Sequence, residues 1–183
     1  MDAKERYDSL FQFYAEQSGL TSTTVGGGWR LLKAQAIAES GLKPDVESPV
    51  GARGLSQFMA ATWREWADGT PGVQEAPPSN LVLLDPRDPE DAIRAQAGYM
   101  AWLLRLLAGD VRAALGAYNW GIGRVKRGLQ EHGENWLEHA PDETRQYVPR
   151  ILRILGDLIA QDPTARRPSG GDGNDTETHA PTL

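Results

Sequence analysis

The chain contains no cysteine, which excludes disulfides, thiol nucleophiles and thiolate metal sites. Histidine is scarce. His132, His139 and His179 are the three present, none in an HExxH or similar ligand spacing, so neither a metal nor a cofactor is expected. Basic residues are outnumbered, 19 Lys and Arg against 25 Asp and Glu, for a formal net charge of −6. A nucleic-acid partner would call for a basic stripe to collect phosphates, so none is expected. Phosphate-cradling patterns are missing too, since neither GxxxxGK[ST] nor GxGxxG occurs.

Long apolar runs are also absent. No segment approaches the roughly 20 apolar residues of a membrane span. The stretch from Met1 to Tyr7 mixes both charge signs and lacks an apolar secretory core. The expectation is a product made in the cytoplasm with no signal and no membrane anchor, which would need another route to any target outside the cell.

What is present is a length of 183 residues with 40% hydrophobic content, suited to one domain with a sizeable core. The reading is a single unit over residues 1–162, with 163–183 a disordered tail of Pro, Gly, Ser, Thr and Asp almost devoid of large apolar residues. Sustained period-two alternation is nowhere found, so the expected fold is all-α. Tyr7, Leu10, Phe11 and Tyr14 fall at helical spacing, in a first helix ending near Gly19. A second, apolar and rich in Ala and Leu, spans Trp29 to Ser40 and stops at Gly41. Others are expected from about Leu55 to Ala67, from an Asp88 cap to about Ala108, from an Asp110 cap through Ala117, near Val125 to Glu131, and from about Glu143 to Ala160. Residues 69–88 read as a long irregular loop with four prolines, and Gly26–Gly28 as part of a flexible joint.

Three places carry chemistry. Glu39 lies in the last turn of the second helix among Ala36, Ile37 and Ala38. Apolar neighbours and the negative helix end both disfavour the carboxylate, raising its pKa toward that of a general acid. Gly51-Ala-Arg-Gly54-Leu-Ser-Gln57 sets two glycines, which permit close backbone approach, beside an amide that donates and accepts. Ala117-Tyr-Asn-Trp-Gly121 offers a stacking face, a hydroxyl and an amide, which suit a sugar. Each also has a plain structural explanation, respectively a solvated helix-end glutamate, a tight turn, and packing aromatics.

Taken in order, Glu39-Ser40, Gly51 to Gln57, Ala117 to Gly121 and Glu143-Thr-Arg-Gln-Tyr-Val148 resemble the soluble lytic transglycosylase family, related to goose-type lysozyme. The resemblance runs from about residue 29 to 155. It implies a lysozyme-like helical fold and cleavage of the β-1,4 bond between N-acetylmuramic acid and N-acetylglucosamine in peptidoglycan. It aligns Glu39 with the family's catalytic carboxylate. It aligns Ser48, Gln57, Tyr118 and Asn119 with cleft residues that hold sugars or orient that carboxylate, and Tyr147 with a tyrosine near it. Two positions depart from the family's pattern: Ser56 stands where members usually carry Met, and Ala60 where they carry Pro.

Most glycosidases use two carboxylates, and although Asp45, Glu47, Glu65 and Asp68 lie in or after the loop following Glu39, no motif sets one opposite it. The resemblance implies that Glu39 alone protonates the glycosidic oxygen, the substrate's N-acetyl group stabilises the cationic carbon, and the C6 hydroxyl closes a 1,6-anhydro ring. The alternatives are a hydrolase of lysozyme type, in which water attacks, and a non-enzymatic wall-binding virion module. A monomeric lysin of phage type, released at lysis or carried by the virion, is the expected setting.

Overall fold

The computed structural model describes residues 5–20, 28–67 and 85–161 of the chain. The tail over 163–183, most of the 69–88 loop, and Gly26 and Gly27 lie outside the described residues. Seven α-helices and one 3₁₀ segment are described: α1 (Asp8–Gln17), α2 (Trp29–Ser40), α3 (Ala60–Ala67), α4 (Pro89–Leu106), α5 (Val111–Trp120), α6 (Ile122–His132), the 3₁₀ turn Gly133–His139, and α7 (Asp142–Ala160). Among the described residues there is no strand, only isolated bridges pairing Arg53 with Glu47 and with Phe58.

Local chemistry sets several boundaries where the sequence indicates them. The Asp88 carboxylate accepts from the Asp91 N–H at 3.0 Å, and Asp110 caps α5 through the Ala113 N–H at 3.0 Å. Gly41 ends α2, its N–H reaching the Ile37 carbonyl. Gly28 precedes α2 at φ 59°, and a Cβ there would lie 2.2 Å from the Leu20 carbonyl oxygen, so this joint requires glycine for space as well as for conformation.

Elsewhere the boundaries move. The helix expected from Leu55 begins only at Ala60, because Gln57 adopts φ 48° and Arg53 pairs with Phe58, which keeps residues 53–58 in a turn. The break expected at Tyr118 does not occur. α5 runs through Trp120, and its last turn is held from outside by hydrogen bonds of Tyr118 and Asn119. α6 starts at Ile122 instead of Val125, directly after Gly121. The 3₁₀ turn carries the buried Trp136, whose ring fills a slot over Gly116, where a Cβ would stand 2.3 Å from it.

α2 is the central element, packed on α1, α4 and α7, while α5 lies against α4, α6 and α7. Phe11, Leu31, Leu32, Ile93, Leu115 and Ile151 bring five helices into one core, and its burial is the main stabilising term. Lys33 of α2 is buried with its ammonium 2.6 Å from the Asp8 carboxylate, tying α1 to α2. A smaller cluster of Phe58, Trp63 and Ala95 lies beneath the loop 41–59, with Tyr99, Trp102 and Tyr118 packed on it. No described helix is long and apolar enough to cross a membrane.

Candidate active site

Glu39 projects from the last turn of α2 toward α7, where the Tyr147 hydroxyl donates to its Oε1 at 2.5 Å. Partial burial removes water from the carboxyl and pushes its pKa from 4.5 up to about 7. The Tyr147 hydrogen bond and the Arg150 guanidinium act against that rise, and the nearby Glu143 carboxylate adds to it. A carboxyl titrating near 7 is divided almost equally between acid and base at neutral pH, which suits a group that must give a proton and take one back. Burial also holds Tyr147 and Tyr118 well above the ordinary phenol range, and the charge of Glu39 presses both in the same direction.

The loop from Leu42 to Met59 follows Glu39 in the chain and is fastened to α2 and α5. Ser40, buried at the end of α2, donates to the Leu55 carbonyl at 2.8 Å and so fastens this loop to the helix that carries Glu39. Gly54, at φ 76°, passes so close to Pro86 that a Cβ would fall 1.6 Å from the Pro86 carbonyl oxygen. Outside, Glu47 pairs with Arg53 at 3.3 Å and Arg87 at 2.8 Å, and these two guanidinium groups hold its carboxyl below its usual pKa.

The six residues expected from sequence fall in different relations to this carboxyl. Tyr147 touches Glu39 directly, and Tyr118 lies near enough for the charge of Glu39 to raise its pKa. The Tyr118 hydroxyl donates to the Ser56 carbonyl at 2.9 Å, tying the loop to α5. Asn119 spends its amide on α7, donating to Glu143 at 3.1 Å and accepting from Thr144 at 2.7 Å. Gln57 turns both amide hydrogens into its own loop, onto Val46 O at 3.1 Å and Gly54 O at 2.8 Å, which leaves its oxygen as the atom that can accept from a ligand. Ser48 shapes a turn, its hydroxyl oxygen accepting from the Ala52 N–H at 3.0 Å.

Sequence reasoning passed over Gln35 and Gln96 and noted Ser56 only as a departure from the family's pattern; all three are fully buried. The Gln35 amide donates to the Tyr147 oxygen at 3.0 Å and the Gln96 amide to Gln35 Oε1 at 2.8 Å, while Ser56 Oγ donates to Gln96 Oε1 at 3.0 Å. The departure at Ser56 is therefore directed into the core. A signal for Gln35 existed: it lies four residues before Glu39, on the same helix face, among apolar residues.

The family described as the transglycosylase SLT domain matches residues 21–138. The chain belongs to this family. Among curated SLT relatives, the membrane-bound lytic murein transglycosylase F of Haemophilus influenzae strain PittGG is 31% identical over 164 residues, covering 72% of this chain and 31% of the relative. The peptidoglycan transglycosylase gp16 of Escherichia phage T7 is 32% identical over 155 residues, covering 84% of this chain and 11% of the relative. The 70 kDa soluble lytic transglycosylase of Escherichia coli superposes with a TM-score of 0.67 at 26% identity, over 88% of this chain and 25% of that one. An inactive mutant of the lytic transglycosylase Slt of Pseudomonas aeruginosa gives 0.65 at 28% identity, over 87% of this chain and 25% of that one. The SLT fold expected from the motifs is the fold observed. The chain spans about a third or less of the length of these relatives.

Proposed function

We propose that this SLT domain cleaves the glycan strands of peptidoglycan at the β-1,4 bond between N-acetylmuramic acid and N-acetylglucosamine, with Glu39 as the single acid and base. The observation that carries this reading is a partly buried carboxyl, pKa about 7, in the last turn of α2 with a tyrosine hydroxyl on one oxygen. Glu39 gives its proton to the glycosidic oxygen as the bond to the muramic C1 breaks, and the neighbouring N-acetyl oxygen stabilises the positive carbon. The carboxylate then takes the proton of the C6 hydroxyl as that oxygen bonds to C1. Glu39 regains its proton, no water is consumed, and a 1,6-anhydromuramyl end is left.

Gln57 Oε1 suits a sugar hydroxyl or acetamide donor, while Tyr118 and Asn119 hold the loop and α7 in place around the glycan, and Ser48 shapes the loop turn. Residues 1–162 are proposed as the catalytic unit, acting as a monomer. The likeness to a phage transglycosylase supports delivery to the cell wall at lysis or with the virion. Mass spectrometry of digested peptidoglycan tests the chemistry. Anhydro ends are expected; products heavier by one water with reducing muramic ends would overturn it in favour of hydrolysis, and no cleavage at all would leave a wall-binding module.

A further inference from the structure

The buried amides Gln35 and Gln96 form a hydrogen-bond chain with a defined direction. The Leu32 carbonyl in α2 can only accept, and Gln96 Nε2 donates to it at 3.0 Å. That contact decides which end of the Gln96 amide faces α2, so its oxygen turns to Ser56 and its second N–H to Gln35 Oε1 at 2.8 Å. Gln35, with its oxygen already accepting, presents its N–H to the Tyr147 oxygen at 3.0 Å. A phenol has one proton to donate, and with Gln35 donating into its oxygen that proton goes to Glu39 Oε1 at 2.5 Å.

We propose that Gln96 and Gln35 are positioning residues that fix the direction of the Tyr147 hydroxyl, so that Oε1 of Glu39 accepts a hydrogen bond and Oε2 carries the transferable proton. This rests on the reading of Glu39 as the proton-transferring carboxyl. Without Gln96, the Gln35 amide is free to turn its oxygen toward Tyr147, whose proton is then drawn away from Glu39. The more distant glutamine thus controls the same proton as the nearer one. The ionisable groups bearing on Glu39 are Tyr147, Arg150 and Glu143 of α7 and Tyr118 of α5; substitution at 35 or 96 leaves all four in place and acts on Glu39 through the Tyr147 hydroxyl that Gln35 meets.

The test compares the parent with Gln96→Leu, Gln35→Met, Tyr147→Phe and the Gln35→Met/Tyr147→Phe pair. Glu39 is titrated by carbon NMR of its carboxyl, alongside the pH profile of peptidoglycan cleavage. Losing a donor to the carboxylate raises its pKa, so Gln96→Leu, which frees the Gln35 oxygen to take the Tyr147 proton, should move the titration and the alkaline limb upward by about one unit, a tenfold change in ionisation, with KM held. Gln35→Met leaves Tyr147 donating to Glu39 but removes the bond that polarises its hydroxyl, and should move both upward by a smaller amount. In the Tyr147→Phe background Gln35→Met should add no shift. Folded glutamine variants that titrate like the parent would overturn the proposal, as would an equal shift in the Tyr147→Phe background. Should Gln96→Leu not fold, the nearly isosteric Gln35→Met and its pairing with Tyr147→Phe decide. A parent that cleaves nothing would instead sink the proposed function, and the NMR titration would still decide the chain.

Discussion

Glu39 stands between two walls built on different principles. On the helical side, α2, α4 and α7 meet through neutral, buried hydrogen bonds in which each amide has one permitted orientation. On the loop side, residues 42–59 carry exposed charges, Glu47 with Arg53 and Arg87, but are held by Ser40, the Tyr118 hydroxyl and the close pass of Gly54 against Pro86. Water competes with exposed ion pairs and not with buried amides, so the visible charges of the loop contribute little and its backbone contacts contribute much. The helical wall sets the chemistry of the carboxyl, and the loop wall is held by backbone contacts to the helix that carries it.

The largest effect that would test this division is Glu39→Gln, expected to reduce release of soluble muropeptides by about 10³-fold, within the usual range for a general acid. The same variant has a stability signature. Because the folded pKa of about 7 exceeds the ordinary 4.5, the native state binds the proton more tightly, so stability is full below about pH 4.5 and falls as pH rises through 7. Glu39→Gln escapes that loss and should be more stable than the parent at pH 8 by up to about 3 kcal/mol, but not at pH 4, by thermal unfolding. A gain of the same size at both pH values would show that ionisation is not the cause.

Next in size, Gly54→Ala forces a side chain into the Pro86 carbonyl at a strained φ and should cost about 3 kcal/mol, read as a lower midpoint in urea. An unchanged midpoint would mean that the loop wall is not fixed there. Tyr118→Phe keeps the ring and loses the bond to Ser56 O, for about 1 kcal/mol in the same assay. The smallest effect is Glu47→Ala, which should leave the unfolding midpoint where it was. A clear drop would show the exposed charges to be structural and would collapse the contrast between the walls.

The sequence revealed the helical wall better than the loop. α2 and the caps of α4 and α5 were legible because their signals are local: an apolar run closed by Gly41, and aspartates one residue before a helix. Glu39 could be picked out as a candidate for the same reason, with its neighbours along α2 supplying the desolvation. The turn over residues 53–58 was legible only through its glycines, and a helix was expected from Leu55, since what extends the turn to Phe58 includes a close pass against Pro86, remote in sequence, and an amide folded back on Val46. The helix was expected to break at Tyr118, whereas α5 continues to Trp120 with Tyr118 and Asn119 hydrogen-bonded to neighbouring elements. Gln35 and Gln96 gave only the faint sign of polar residues on apolar faces, and their meaning depends on which carbonyl each one meets.

Tyr147 comes from the last described helix and Glu39 from the second, 108 positions apart. During synthesis the carboxyl therefore leaves the ribosome long before its hydroxyl partner, and a nascent or C-terminally truncated chain holds Glu39 in an ordinary, hydrated state. The raised pKa of Glu39 thus depends on α7 being docked on α2, and on the proposed reading a chain lacking α7 cannot cut.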